Sequence, residues 1–137
     1  MDSKQFCFIA IYGCNESIER RGLWNHLLSL HNSIFEKPWI LSRDFNIIAQ
    51  SSKSSHVFLM VSYDIREFID VMLHLSIFDN AFSGPFYTWS NHQPNGFLVR
   101  NMDIVLINDN WLSRFANFIV EFLAYEVSDH CPALIQL

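Results

Sequence analysis

Near the end of the chain, Ser128-Asp129-His130-Cys131-Pro132 sets an acid beside an imidazole. Two acidic motifs upstream, Asp44-Phe45-Asn46 and Arg100-Asn101-Met102-Asp103, are candidates to converge on it. Carboxylates at strand exits suit a hard divalent cation such as magnesium, which takes oxygen ligands, keeps several waters and polarises a phosphoryl oxygen. Asp44 and Asp129 are the candidates for that role. Asp103 suits a different one, holding the imidazole of His130 in one tautomer and raising its basicity. The three motifs together read as a phosphodiester-cleaving metal site. Taken singly, each has a plainer role, since a lone Asp after a strand is usually a turn former or a helix cap.

The elements that must position these residues follow from apolar periodicity. Phe6 to Tyr12 is a nearly continuous apolar run closed by Gly13 and predicts a buried strand. Leu23, Trp24, Leu27, Leu28 and His31 recur at helical spacing behind Ser17, a candidate N-cap. Pro38 to Leu41 is a short strand leading into Asp44. Asp64, with Glu67 three residues on, predicts the N-cap of a second helix with an apolar stripe of Ile65, Phe68, Ile69, Met72 and Leu73, ending near Ser76. Phe86 to Ser90 and Met102 to Ile107 are strand-like, and the turn-rich 92–96 segment between them predicts a hairpin. Trp111, Leu112 and Phe115 mark a short helix or turn. Phe118 to Leu123 and Ala133 to Ile135 are the last strands, with the Ser-Asp-His loop between them. The serine-rich 50–55 stretch is a loop, and the apolar run 57–61 has no clear place. Strands mixed with helical crossovers and hairpins predict an α/β sandwich rather than a doubly wound parallel sheet.

Composition sets bounds on this reading. A chain of 137 residues that is 50% hydrophobic can bury one core, so a single domain over 1–137 is expected. The start lacks the layout of a signal peptide, and no run is long enough to span a bilayer, which predicts an intracellular protein of the nucleus or cytoplasm. Three cysteines without CxxC spacing argue against a disulfide framework or a structural zinc, and Cys131 is expected to be a buried thiol. A net charge of -5 with nine basic residues predicts weak binding to DNA, since phosphate affinity comes mainly from Lys and Arg. Arg20 and Arg21 are read as a solvated helix face. The four tryptophans are read as core or core-edge packing, with Trp89 the one that could also face nucleic acid.

As an ordered set, Asp44-Phe45-Asn46, Tyr87-Thr88-Trp89, Arg100-x-Met102-Asp103 and Ser128-Asp129-His130-Cys131-Pro132 resemble the endonuclease/exonuclease/phosphatase family of DNase I-like enzymes. Tyr12 followed by Asn15 also matches that family. Thr88-Trp89-Ser90-Asn91 and Asn108-x-x-Trp111 look most like the endonuclease domains of plant LINE-type retroelements. The resemblance implies a DNase I-like α/β sandwich of two packed mixed sheets flanked by helices, and magnesium- or manganese-dependent hydrolysis of DNA. It implies that His130 contacts the scissile phosphate, oriented by Asp103, that Asp44 orients or deprotonates the attacking water, and that Asn46 hydrogen-bonds the phosphate. Asp129 would lie at the metal or its water shell, Tyr12 and Asn15 at the phosphate or leaving oxygen, and Arg100 at the rim or in a structural role.

The family's first strands, which carry an asparagine and a metal-binding glutamate, would precede Phe6. The expectation is therefore a partial sandwich lacking those N-terminal strands, with exposed sheet edges prone to self-association and with cleavage impaired or lost. Arg43 replaces the glycine usual before the Asp-Phe-Asn triplet, and Ile104 replaces a basic residue. The alternatives are an inactive retroelement-derived remnant and a phosphoinositide phosphatase-like hydrolase.

Overall fold

The two strands that carry the candidate acids Asp44 and Asp103 lie side by side. In a computed structural model, which describes residues 5–12, 16–44, 63–97, 99–124 and 126–137, β2 (Trp39–Asp44) pairs antiparallel with β6 (Asp103–Asn108). Their register runs from Ile40 opposite Ile107 to Asp44 opposite Asp103. The side chains of Ser17, Arg43 and Arg100 lie outside the described part, as do the serine-rich 50–55 stretch and the 57–61 run.

Strand side chains alternate between faces, and here both faces are covered, which is why Trp39 to Leu41 of β2 and Ile104 to Ile107 of β6 read as unbroken apolar runs. Trp39, Leu41 and Leu106 pack with Trp24 and Leu27 of α1 (Ser17–Ile34) and Leu75 of α2 (Tyr63–Leu75). Ile40, Val105 and Ile107 point the other way, into a second cluster with Trp111, Phe115, Val120, Phe122 and Cys131. Removing a Leu or Ile side chain fully from water contributes about 1.5–3 kcal/mol, so these alternating positions hold the three layers together.

The central sheet has the order β1-β2-β6-β3, with β1 (Cys7–Tyr12) parallel to β2 and β3 (Ile77–Asp79) antiparallel to β6. The second β layer contains two antiparallel pairs. One joins β4 (Trp89–Ser90) to β5 (Val99–Arg100), and the other joins β7 (Ile119–Phe122) to β8 (Ala133–Gln136). Single bridges link Trp89 to His130 and Ser83 to Glu121. Between β6 and β7 lies α3 (Asp109–Arg114), the short helix expected around Trp111. The fold is mixed α/β. No described helix is long and apolar enough to cross a membrane.

Several local expectations are corrected. Glu16, not Ser17, occupies the N-cap of α1, and the Glu16 side chain makes no capping hydrogen bond. Asp64 lies inside the first turn of α2, and its carboxylate pairs at 2.8 Å with Arg20, which is buried rather than solvated. Arg21 does lie on a half-exposed face, paired with Glu67 at 2.9 Å. Ile69 and Leu73 are exposed, because α2 meets the core through Ile65, Phe68, Val71, Met72 and Leu75 instead. The hairpin around 92–96 forms, but Trp89–Ser90 pairs with the two-residue β5, while β6 belongs to the central sheet.

β1 is only partly buried, since among the described residues it has a strand neighbour on one side alone, and Phe8 and Tyr12 are exposed. β3, of three residues, is too short to show a period in the sequence. It follows α2 after Ser76, whose φ of +53 makes the reversal. Gly84 is required by close approach: a Cβ there would collide with the Phe122 carbonyl oxygen, where Ser83 exchanges backbone hydrogen bonds with β7.

Candidate active site

Strand parity aims the two central carboxylates. Asp44 shares its face with Ile40, and Asp103 shares its face with Val105 and Ile107, so both point towards the second β layer. As the last pair in the β2–β6 register they stand directly across from each other, at the edge of the core they overhang. His130 arrives from that second layer, in the loop between β7 and β8.

The imidazole bridges the two acids. Its Nδ1 lies 3.1 Å from Asp103 Oδ2, and its Nε2 lies 3.6 Å from Asp44 Oδ2. An ionised carboxylate can only accept, so the proton on this edge of the ring belongs to Nδ1, donated to Asp103. Nε2 then faces Asp44 at a separation too long for a direct hydrogen bond. A reacting oxygen beside that gap would touch both an acid–base nitrogen and a carboxylate oxygen. The three side chains are 28%, 10% and 14% exposed for His130, Asp44 and Asp103, so they are sheltered from bulk water but open on one side. Such partial shelter strengthens each polar contact.

The loop that carries His130 is pinned by backbone and side chain together. Cys131 N–H donates to the Thr88 carbonyl at 2.7 Å, Ser90 N–H to the Asp129 carbonyl at 3.0 Å, and Leu123 N–H to the Pro132 carbonyl at 2.9 Å. Within the loop, His130 N–H donates to Ser128 Oγ at 3.2 Å, a local serine turn. Cys131 is buried, as expected, with its thiol 3.8 Å from the Tyr87 carbonyl.

Asp129 has a partner of its own. Trp89 Nε1–H donates to its Oδ2 at 3.0 Å, and this hydrogen bond is the main reason that its carboxyl is held below the usual carboxylate range. Trp89, read as core-edge packing, is thus also a carboxylate donor. Among the described residues no group of three or more His, Cys, Asp and Glu side chains is gathered to hold a metal ion. The three carboxylates described at this end, Asp44, Asp103 and Asp129, are each already beside a protein partner.

Tyr12 is the parallel register partner of Asp44, one strand over on the same face, with its side chain 88% exposed. Asn15 and Asn46 lie outside the described residues. Arg100 contributes its backbone to β5. Sequence reasoning gave Thr88 no role of its own. Its hydroxyl is fully buried and accepts from the backbone N–H groups of Met102 at 3.1 Å and Asp103 at 3.0 Å. Its only sequence signal is a small polar residue between two aromatics. Of the other histidines, His26, His74 and His92 are exposed, and His31 is half-buried beside Phe35 and Trp39.

No family model matches the chain, and no curated protein matches it.

Proposed function

We propose that this end of the molecule is a phosphodiester-hydrolysing site of DNase I-like type, with DNA as substrate and magnesium or manganese as cofactor. The observation that carries the reading is the His130 imidazole held between Asp103 and Asp44 at 3.1 and 3.6 Å. In this reading Asp103 accepts from Nδ1–H and favours the imidazolium, whose Nε2–H faces the scissile phosphate and gives its proton to the leaving oxygen. Asp44 orients the attacking water and takes its proton. Tyr12 lies one strand away on the same face, where a phosphate oxygen of the same substrate could reach it. Asp129 and its waters are the protein's contribution near a cation.

A second reading is a chain that folds and binds without cleaving. The hydrogen bond from the Trp89 indole to Asp129 favours it, because hydrolysis of a phosphodiester in this chemistry relies on a bound cation, and the carboxylate placed nearest that role is already held by the protein. Incubating the purified chain with supercoiled plasmid and, separately, with an inositol phosphate, each with magnesium or with chelator, distinguishes the readings. Magnesium-dependent nicking abolished by Asp44→Ala supports the nuclease. Phosphate release from the inositol phosphate without nicking replaces it with a phosphatase. No turnover of either substrate supports the non-cleaving reading.

A further inference from the structure

The orientation of His130 by Asp103 needs both partners fixed, yet they come from different layers: Asp103 opens β6 of the central sheet, and His130 sits in a loop of the second layer. One residue ties both down. The Thr88 hydroxyl accepts the N–H groups of Met102 and Asp103, which sets the entry of β6, and the Thr88 carbonyl accepts the N–H of Cys131, which sets the residue after His130. The neighbouring Trp89 adds a backbone bridge to His130 and an indole hydrogen bond to Asp129.

We infer that Thr88 is a positioning residue that holds the Asp103–His130 pair in register across the two layers; the catalytic consequence rests on the phosphodiester reading above. Its side chain is 0% exposed, so water cannot take over the two N–H groups if the hydroxyl is removed. Valine matches threonine in shape and lacks the acceptor. In Thr88→Val the start of β6 must shift to find other partners for those donors, and the Asp103 carboxylate moves with it. Shifts of this kind, on the order of 1 Å or less, are enough to cost about a hundredfold in rate when they fall between acting groups.

The test reads the pair without substrate. In full-length chain labelled with ¹⁵N-histidine, the His130 Nδ1–H donated to Asp103 gives a low-field proton resonance, assigned by its loss in Asp103→Asn. The inference expects that resonance in the wild type and in Thr88→Ser. In Thr88→Val it should be lost, or exchange with water roughly tenfold faster or more. Thr88→Val retaining the wild-type resonance and exchange rate overturns the inference. If Thr88→Val fails to fold, Thr88→Ser and Thr88→Cys replace it, being near in size and unlike in acceptor strength. Loss of the resonance in Thr88→Cys alone supports positioning, and equal behaviour in the two overturns it. Where the wild type nicks plasmid, Thr88→Val should lower kcat about tenfold or more with KM little changed. A wild type that does not nick but shows the same spectral difference counts against the nuclease reading and still supports the positioning role.

Discussion

The same two strands, β2 and β6, end in opposite kinds of polar chemistry. At one end Trp39 lies beside Asn108, whose side-chain carbonyl accepts from the N–H groups of Trp39 and Trp111 and whose amide donates to the Lys37 carbonyl. That amide is buried, and both its oxygen and its nitrogen are occupied in tying β2, the turn before it and α3 together. At the other end Asp44 and Asp103 face a histidine across 3.6 and 3.1 Å, in a setting that is only partly sheltered from water. A saturated neutral amide serves stability. Closely spaced carboxylates and an imidazole cost stability through desolvation and like-charge contact, and such arrangements gather where chemistry is done.

If the contrast is right, changes at the two ends separate folding from function. The largest effect on folding is expected from Asn108→Ala, which leaves two buried N–H groups and a carbonyl without their partner and removes the cap of α3. A loss of about 3–5 kcal/mol in urea denaturation is expected. A loss below about 1 kcal/mol would show that the Asn108 end is not the structural hub. Asp103→Asn is the mirror experiment. It should change stability by less than about 1 kcal/mol while lowering any phosphodiester cleavage by about a hundredfold or more, because the amide can present an N–H where His130 needs an acceptor. Equal losses of stability and cleavage would erase the distinction between the ends.

The smallest effect concerns Asp129. Its folded carboxyl lies below its unfolded range, so the Trp89 hydrogen bond stabilises the fold above the unfolded carboxylate pKa of about 3.9. That contribution is lost as pH falls through the lower folded value. Thermal melts of Trp89→Phe beside the wild type should therefore show a small gap at neutral pH that narrows below about pH 4. A gap that widens in acid would contradict the hydrogen bond as the cause.

Asp44 and Asp103 are legible because each lies close to one end of a recognisable apolar run, His130 because it follows Asp129 in the loop between two such runs, and their order along the chain carries the rest. What joined them was not legible. The Met102 to Ile107 run looks like the return strand of the hairpin at 92–96, yet β6 is apolar on both faces and so belongs in the doubly covered sheet; the true return strand, Val99–Arg100, is too short to show a period. Arg20 has the surroundings of a solvated helix position in the sequence, and Asp64, with which it pairs, lies 44 residues away. Thr88 acts through a hydroxyl that accepts backbone donors 14 and 15 residues on, a contact with no sequence signature.

The most direct measurement of the central claim is the nicking of supercoiled plasmid by the folded chain with magnesium, read beside His130→Ala of matched thermal stability. The account predicts nicking by the wild type, loss of about a hundredfold or more in the variant, and none in either with chelator. Equal nicking by wild type and variant, or none by a folded wild type, would contradict it.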